Sequence, residues 1–267
     1  MALLPQHKFF IFNGEVRPSE EFIPSENEGG VYEVLRVADN IPLFLEDHLE
    51  RFYLSAQLAG KTIPFQHNEV ELFLQKLIKK NGVSEGNILI SCKINLKAFF
   101  IPHSYPTPEM YHDGVLCGIL NAERENPNAK VFQTTVRQQA NQMLEQKGYY
   151  EVMLVDHLGL ITEGSRSNVF FVQQNSLVTP PANKVLLGIT RQKTVQLARE
   201  MMIPVEEKEV AVNDLHQFDA AFITGTSPKI LPIRQIDHFS FNPKNTELRQ
   251  LMFRYDEMIG EYISGRL

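Results

Sequence analysis

The 267-residue chain lacks the motifs that announce metal or hydrolytic chemistry. Its eight histidines show no HExxH pair and no other paired ligand spacing, so nothing points to a metal centre of that kind. There is no GxSxG elbow and no Walker-type glycine loop, which removes the serine-hydrolase and P-loop readings. Excess positive charge is missing too: the net charge is −6. A nucleic acid or an anionic membrane is therefore not an expected partner, although a local basic pocket for one phosphate is still allowed. Only two cysteines occur, Cys92 and Cys117. Both fall in strand-like runs and are expected as buried thiols rather than as a disulfide framework. No apolar run approaches the roughly 18 residues of a membrane span. Met1–Pro5 carries no charged n-region, and the apolar run at Phe9–Phe12 is too short for a signal core. A soluble, cytoplasmic protein is expected.

What the chain does have is a core-forming composition, 43% hydrophobic, enough for one large domain or two small ones. Residues 8–18 read as a hairpin around Asn13-Gly14. Residues 31–45 repeat that plan around Ala38-Asp39-Asn40. A helix starts near Glu46, keeps Leu45, Leu49, Phe52, Tyr53, Ala56 and Ala59 at helical spacing, and ends with Gly60 at C′. A second helix spans 68–81, with Val70, Phe73, Leu74, Leu77 and Ile78 on one face and Asn68 with Glu71 as a capping box. Strands are expected at Asn87–Ile94 and Val115–Leu120. The first 120 residues thus read as an α+β domain, residues 121–128 as a polar linker, and residues 129–267 as a larger second domain. In that domain Val136, Ala140, Met143 and Leu144 mark a helix stopped by Gly148. Strands at Tyr150–Asp156 and Asn168–Val172 flank a turn that carries Glu163. A helix from Thr190 to Met202, strands at Pro204–Val212 and Asp219–Thr224, and a helix from Asn245 to Ile263 complete the reading.

Local pattern leaves two readings open at each chemical candidate. Lys130, at the edge of the linker, is by default a solvated lysine; a catalytic one must be partly desolvated so that its amine is neutral often enough to attack an aldehyde. Glu163 is either a turn carboxylate or an acid that faces a cleft. Gly188-Ile189-Thr190-Arg191 opens a helix, as an ordinary Thr cap or as a cradle for phosphate. The turn Thr224-Gly225-Thr226-Ser227-Pro228 is a plain loop or a set of hydroxyls and amides for an anion. Arg51 is a solvated helix arginine or the positive charge of such a site. His48, among charged neighbours, is expected to be solvated.

A lysine and an acid separated by a helix–strand unit can serve one cofactor, the first by forming an imine and the second by holding a ring nitrogen protonated. Taken in order, six or more pieces resemble the class IV pyridoxal-phosphate (PLP)-dependent aminotransferases of fold type IV, a group that includes branched-chain and D-amino acid aminotransferases and aminodeoxychorismate lyases. The pieces are Tyr32-Glu33-Val34-Leu35-Arg36, Leu45-Glu46-Asp47-His48-Leu49-Glu50-Arg51 with Ser55-Ala56, the Lys130 to Gly148-Tyr149-Tyr150-Glu151 spacing, Ile161-Thr162-Glu163-Gly164-Ser165-Arg166-Ser167-Asn168-Val169-Phe170, Thr179-Pro180-Pro181, Leu187-Gly188-Ile189-Thr190-Arg191 and Thr224-Gly225-Thr226. The resemblance covers about Tyr32 to Ile233.

It implies an α+β fold with a small N-terminal α/β sandwich and a larger C-terminal pseudo-barrel domain. It implies PLP, with Lys130 as Schiff-base lysine and proton carrier and Glu163 on the pyridine nitrogen. Arg51, Gly188, Ile189, Thr190, Gly225 and Thr226 would hold the phosphate, and Tyr32, Arg36 and Ser227 would face the substrate. A homodimer acting on an amino acid and a 2-oxo acid is implied, with branched-chain or D-amino acids leading. A lyase that releases pyruvate by β-elimination, and a PLP- or anion-binding homologue without turnover, are the alternatives. The substrate half departs from the family pattern. Thr135 stands where many members have a tyrosine, Cys92-Lys93-Ile94-Asn95 where many have a carboxylate-binding arginine, and Asn27-Glu28-Gly29-Gly30 where an aromatic and Gly-Asp-Gly are usual. Lys93 and Arg137 are substitute candidates for a carboxylate clamp, with surface residues as the competing reading.

Overall fold

The computed structural model describes residues 3–24, 30–132 and 134–266. By contact the chain forms two compact units: Met1–Ser104 with Ala129–Gln133 and Ile259–Leu267, and Tyr105–Asn128 with Thr134–Met258. Composition suggests one boundary, at 121–128. The chain instead crosses from one unit to the other at 104/105, 128/129, 133/134 and 258/259. Backbone pairing ties residues 130–131 to the first unit: Val131 bridges Val31, and Tyr32 N–H donates to Lys130 O at 3.0 Å.

The first unit is a six-stranded antiparallel sheet with two helices. Strands β1 (Phe9–Phe12) and β2 (Glu15–Pro18) form the expected hairpin. Asn13 and Gly14 both have positive φ, 47° and 87°, the geometry that suits a two-residue turn to strand twist. Gly14 has a second reason to lack a side chain: a Cβ there would meet the Phe73 ring at 2.6 Å. Strand β3 (Val31–Ala38) turns through Asp39 and Asn40, φ 50° and 66°, into β4 (Ile41–Pro42). Helix α1 (Leu45–Leu58) ends in a Schellman motif, with Gly60 N–H to Gln57 O and Lys61 N–H to Ala56 O, as the C′ glycine predicts. Helix α2 (His67–Asn81) buries Val70, Leu74, Leu77 and Ile78. Its capping box is not Asn68/Glu71: Glu69 Oε2 accepts from Gln66 N–H at 2.7 Å, because the helix begins earlier than the apolar pattern suggests. Strands β5 (Gly86–Cys92) and β6 (Leu96–Ile101) complete the order β2-β1-β6-β5-β3-β4. Leu35, Val37, Leu49, Phe52, Leu74 and Ile88 form the core between sheet and helices.

The second unit holds a ten-stranded mixed sheet. It begins with helix α3 (Pro108–Asp113) and strand β7 (Val115–Asn121), followed by helix α4 (Thr134–Lys147), which stops at Gly148 with φ 66°. Strands β8 (Glu151–Val155), β9 (Leu160–Gly164), β10 (Asn168–Gln173) and β11 (Ser176–Thr179) come next. Helix α5 (Ile189–Glu200) precedes β12 (Val205–Glu207), β13 (Val210–Ala211), β14 (Ala220–Gly225), β15 (Lys229–Ile236) and β16 (Phe239–Ser240). Helix α6 (Thr246–Ser264) closes the chain. The run expected as one strand at 204–212 is two short strands, β12 and β13, on different neighbours. Phe171, Val178, Ile223, Leu231 and Ile233 lie in the core of this sheet. Cys92 and Cys117 are both buried free thiols. No described helix is long and apolar enough to cross a membrane.

Candidate active site

In the first unit, β3 sorts the candidates by alternation. Tyr32 and Arg36 project to one face of the strand. Glu33 projects to the other, with Val31, Leu35 and Val37, and is fully buried. A carboxylate there needs a partner, and α1 supplies it. Arg51 donates from Nε to Glu33 Oε2 at 2.8 Å and from Nη2 to Oε1 at 2.7 Å. His48 Nδ1 lies 3.3 Å from Glu33 Oε1, a charge contact rather than a well-formed hydrogen bond. Burial alone would raise the Glu33 pKa, but Arg51 and His48 overcome it and hold the group well below the usual carboxylate range. Burial lowers the His48 pKa and Glu33 opposes it incompletely. His48 is thus buried, not solvated: it shares the inner face of α1 with Leu45, Leu49 and Phe52. Beside this cluster, Lys130 N–H donates to Ser55 Oγ at 3.1 Å, and Lys130 Nζ stands 5.0 Å from the centroid of the Tyr32 ring. Phe132 stacks on Tyr32 with centroids 4.1 Å apart.

In the second unit, Glu163 lies within β9 rather than in a turn, and the turn is Ser165–Ser167. The β8–β9 register slips at this point, with Val155 opposite Ile161 but Met153 opposite Gly164. The extra residue is a bulge, a common device for re-aiming a side chain. The Glu163 carboxylate is buried. It accepts from Leu186 N–H at 3.1 Å and lies 3.3 Å from Arg124 Nε and 3.5 Å from Asn168 Nδ2. Asn168 Nδ2 also donates to Leu186 O at 2.8 Å. A Cβ on Gly188 would sit 2.1 Å from Asn168 Oδ1, so only glycine lets α5 start this close to β10. Asn168 pairs in turn with Thr224 on β14, which brings the Gly225-Thr226 turn alongside. The bulge and these pairings bring Glu163, Gly188 at the start of α5, and Thr224, just before Gly225, to Asn168.

The turn itself is held by a second buried acid, Glu151. It accepts from Ser165 Oγ at 2.6 Å, Ser167 Oγ at 2.8 Å, Arg166 N–H at 3.1 Å and Val152 N–H at 2.9 Å. Tyr255 OH donates to Thr190 Oγ1 at 3.3 Å.

A phosphorylated pyridine cofactor fits this donor set. The first residues of α5, Ile189 and Thr190, are buried; no side chain caps the helix and no acid stands in its first turn. Such an end favours an anion. The buried Thr224 Oγ1 has no hydrogen-bond partner among the described residues. No group of residues able to hold a metal occurs among them either.

The expected residues therefore fall in two sets. Tyr32, Arg36, Arg51 and Lys130 are in the first unit; Glu163, Gly188, Ile189, Thr190, Gly225, Thr226 and Ser227 are in the second. Arg51, expected at a phosphate, is tied to Glu33. Lys93 lies in the exposed turn between β5 and β6, and Arg137 is half-buried on α4. The Asn27-Glu28-Gly29-Gly30 run lies, apart from Gly30, outside the described residues. Sequence reasoning missed Glu33, Asn168, Glu151 and Arg124 as site residues. The first three stand inside the motif pieces, so their signal was present; Arg124 looked like one more charge in a polar linker.

Comparison with known proteins is consistent with this geometry. The family model for amino-transferase class IV matches residues 30–236. A D-alanine aminotransferase of Bacillus licheniformis is 30% identical over 253 residues, 85% of this chain and 88% of that one. A probable branched-chain-amino-acid aminotransferase of Rickettsia felis is 28% identical over 229 residues, 78% of each. Among solved structures, the branched-chain amino acid aminotransferase from Thermobaculum terrenum in its PLP form superposes with a TM-score of 0.80 over 95% of this chain and 94% of that one, at 24% identity.

Proposed function

The chain belongs to the class IV aminotransferase family, whose enzymes depend on PLP, and we propose that it moves the amino group of a branched-chain or D-amino acid to a 2-oxo acid. The observation that supports this most is the setting of Glu163: a buried acid at a bulge, beside the buried, uncapped start of α5. A ring with a protonated nitrogen at one end and a phosphate at the other needs those two features. The relatives are named as aminotransferases, which does not favour the lyase or the homologue without turnover.

PLP, when bound, supplies an electron sink for the carbanion at the amino acid Cα. The chain's own residues do the rest. Lys130 would hold the cofactor through its Nζ between turnovers, and once freed that amine would take up and return the substrate Cα proton. Glu163 keeps the ring nitrogen protonated. The amides of Ile189 and Thr190, with Gly188, Gly225 and the Thr226 hydroxyl, bind the phosphate, and Arg51, oriented by Glu33, supplies positive charge to it. Tyr32, Arg36 and Ser227 face the substrate. Two half-reactions use the same groups in opposite order. We place the enzyme in the cytoplasm as a homodimer, a state that light scattering on the purified protein reads directly.

The test is borohydride reduction of the PLP-loaded protein, with peptide mapping of the adduct, followed by a panel of L- and D-amino donors with 2-oxo acid acceptors. The adduct is expected on Lys130, and Lys130→Ala is expected to abolish turnover. An adduct on another lysine, or full turnover in Lys130→Ala, overturns the assignment.

A further inference from the structure

We propose that Arg124 is the positioning residue of the acid: its guanidinium pairs with the Glu163 carboxylate and fixes its direction, and so sets how tightly the protein holds a pyridine cofactor. The inference rests on the reading of Glu163 given above.

Arg124 follows β7 in the stretch whose composition suggests a linker. Its side chain is only 17% exposed. Nε points to Glu163 Oε1 at 3.3 Å, and Nη2 donates to Ser165 O at 2.6 Å. The planar fork therefore spans two different acceptors, the carboxylate and the backbone of the turn that follows it. A lysine can occupy one of them but not both in that geometry. Glu163 also receives the Leu186 N–H at 3.1 Å and has Asn168 Nδ2 at 3.5 Å. Those two donors are neutral; Arg124 brings positive charge, and a carboxylate only 3% exposed gains most from a charged donor.

Arg124 is not what keeps its own segment in place. Ala122 N–H donates to Val155 O at 3.1 Å. Asn128 Nδ2 donates to Ala182 O at 2.9 Å and Val185 O at 2.8 Å. The residues on either side of Arg124 are thus anchored by contacts that its side chain does not share. Glu151 holds the 165–167 turn through its own three donors there. Removing the guanidinium leaves the backbone supported and takes away the counter-charge and the aim of Glu163. The same cation also tempers the acid: a carboxylate paired with arginine offers a ring N–H less negative potential than a bare one, so Arg124 exchanges some strength for direction.

The experiment is a double-mutant cycle of Arg124→Gln and Glu163→Gln, with Arg124→Lys as a third variant. Each protein is freed of cofactor and titrated with PLP by absorbance, and its thermal unfolding is recorded before titration. Loss of the charged contact that aims Glu163 is expected to weaken PLP binding about tenfold in Arg124→Gln, with Arg124→Lys recovering part of that loss. In the Glu163→Gln background, Arg124→Gln should add less than about twofold, because it acts through the residue already removed. Two results overturn the proposal alone: Arg124→Gln keeping PLP affinity within about twofold of the parent, or the two losses multiplying in full, as independent sites do. A cofactor-free Arg124→Gln protein that melts far below the parent gives Arg124 a structural role and also overturns it. A Glu163→Gln variant with unchanged PLP affinity sinks the Glu163 reading itself, a distinguishable outcome.

Discussion

Glu33 and Glu163 are buried carboxylates, one in each unit, and they are stabilised by different means. Glu33 is clasped through both oxygens by one guanidinium at 2.7 and 2.8 Å. Glu163 is approached by a backbone N–H at 3.1 Å and by one edge of an arginine at 3.3 Å. The third buried acid, Glu151, is surrounded by hydroxyls and amides and serves a turn. A short two-point clasp locks an acid in one orientation and marks it as scaffold. Longer, single contacts direct an acid without locking it, which suits a group that must meet a ligand. The pattern of donors, not burial, separates the three roles.

The largest effect should come from breaking the clasp. Glu33→Ala leaves the Arg51 guanidinium buried without its carboxylate, and should cost about 3–5 kcal/mol in chemical denaturation. Replacing both partners, Glu33→Leu with Arg51→Met, should recover most of that stability, because the pair's desolvation cost vanishes with it. That double variant should still bind PLP poorly if Arg51 supplies charge to the phosphate. Parent-like PLP affinity in it would confine the pair to a structural role.

Acid should weaken the Glu33 clasp. The folded pKa of Glu33 is depressed, so its stabilisation is present above its ordinary value of 4.5 and is lost as the pH falls below 4.5 toward the folded value. Unfolding curves of parent and Glu33→Gln should therefore converge with falling pH below 4.5. A gap that stays constant down to the acid transition contradicts the clasp as the source of the difference.

Next in size is Gly188→Ala. Its φ of −60° is open to any residue, so backbone strain plays no part. The obstacle is Asn168 Oδ1, 2.1 Å from the new Cβ. Either Asn168 or the start of α5 must move, at a cost of about 1–3 kcal/mol. Because Asn168 joins Glu163 to the α5 end, PLP affinity should fall as well. An Asn168→Ala, Gly188→Ala double variant should be less destabilised than the sum of its parts.

How much of this was legible in the chain depended on range. Asn13-Gly14, Asp39-Asn40 and Gly60 carry turn and cap chemistry within a few residues, and each does in the fold what its type requires. The α2 capping box slipped because Asn68/Glu71 and Gln66/Glu69 compete at the same spacing, and the helix start decides between them. His48 was read by its charged neighbours, whereas helical period places it with Leu45, Leu49 and Phe52. Strand β15 has no counterpart in the sequence reading; Pro232, a residue type that disfavours strand interiors, stands inside it and pairs with Phe222. Lys130 and Glu163 stood out only through ordered motif pieces. The Arg51 clasp, the Glu151 staple and the Arg124 contact join residues 14 to 41 positions apart. No local pattern encodes a donor at that distance.

The smallest effect tests Glu151 against Glu33. Removing one neutral donor, by Ser165→Ala or Ser167→Ala, should cost about 1–2 kcal/mol, since the acid keeps its other donors and loses no counter-charge. The two substitutions together should exceed their sum, because the second removal leaves a buried carboxylate served only by the Arg166 and Val152 amides. Neither hydroxyl donates to Glu163, so any fall in PLP affinity measures how far the turn transmits its slackening to that acid. Parent-like affinity with lowered stability would make Glu151 a staple only. A loss of affinity as large as that of Glu163→Gln would mean that the turn and the acid move as one body, and would erase the distinction between the two roles.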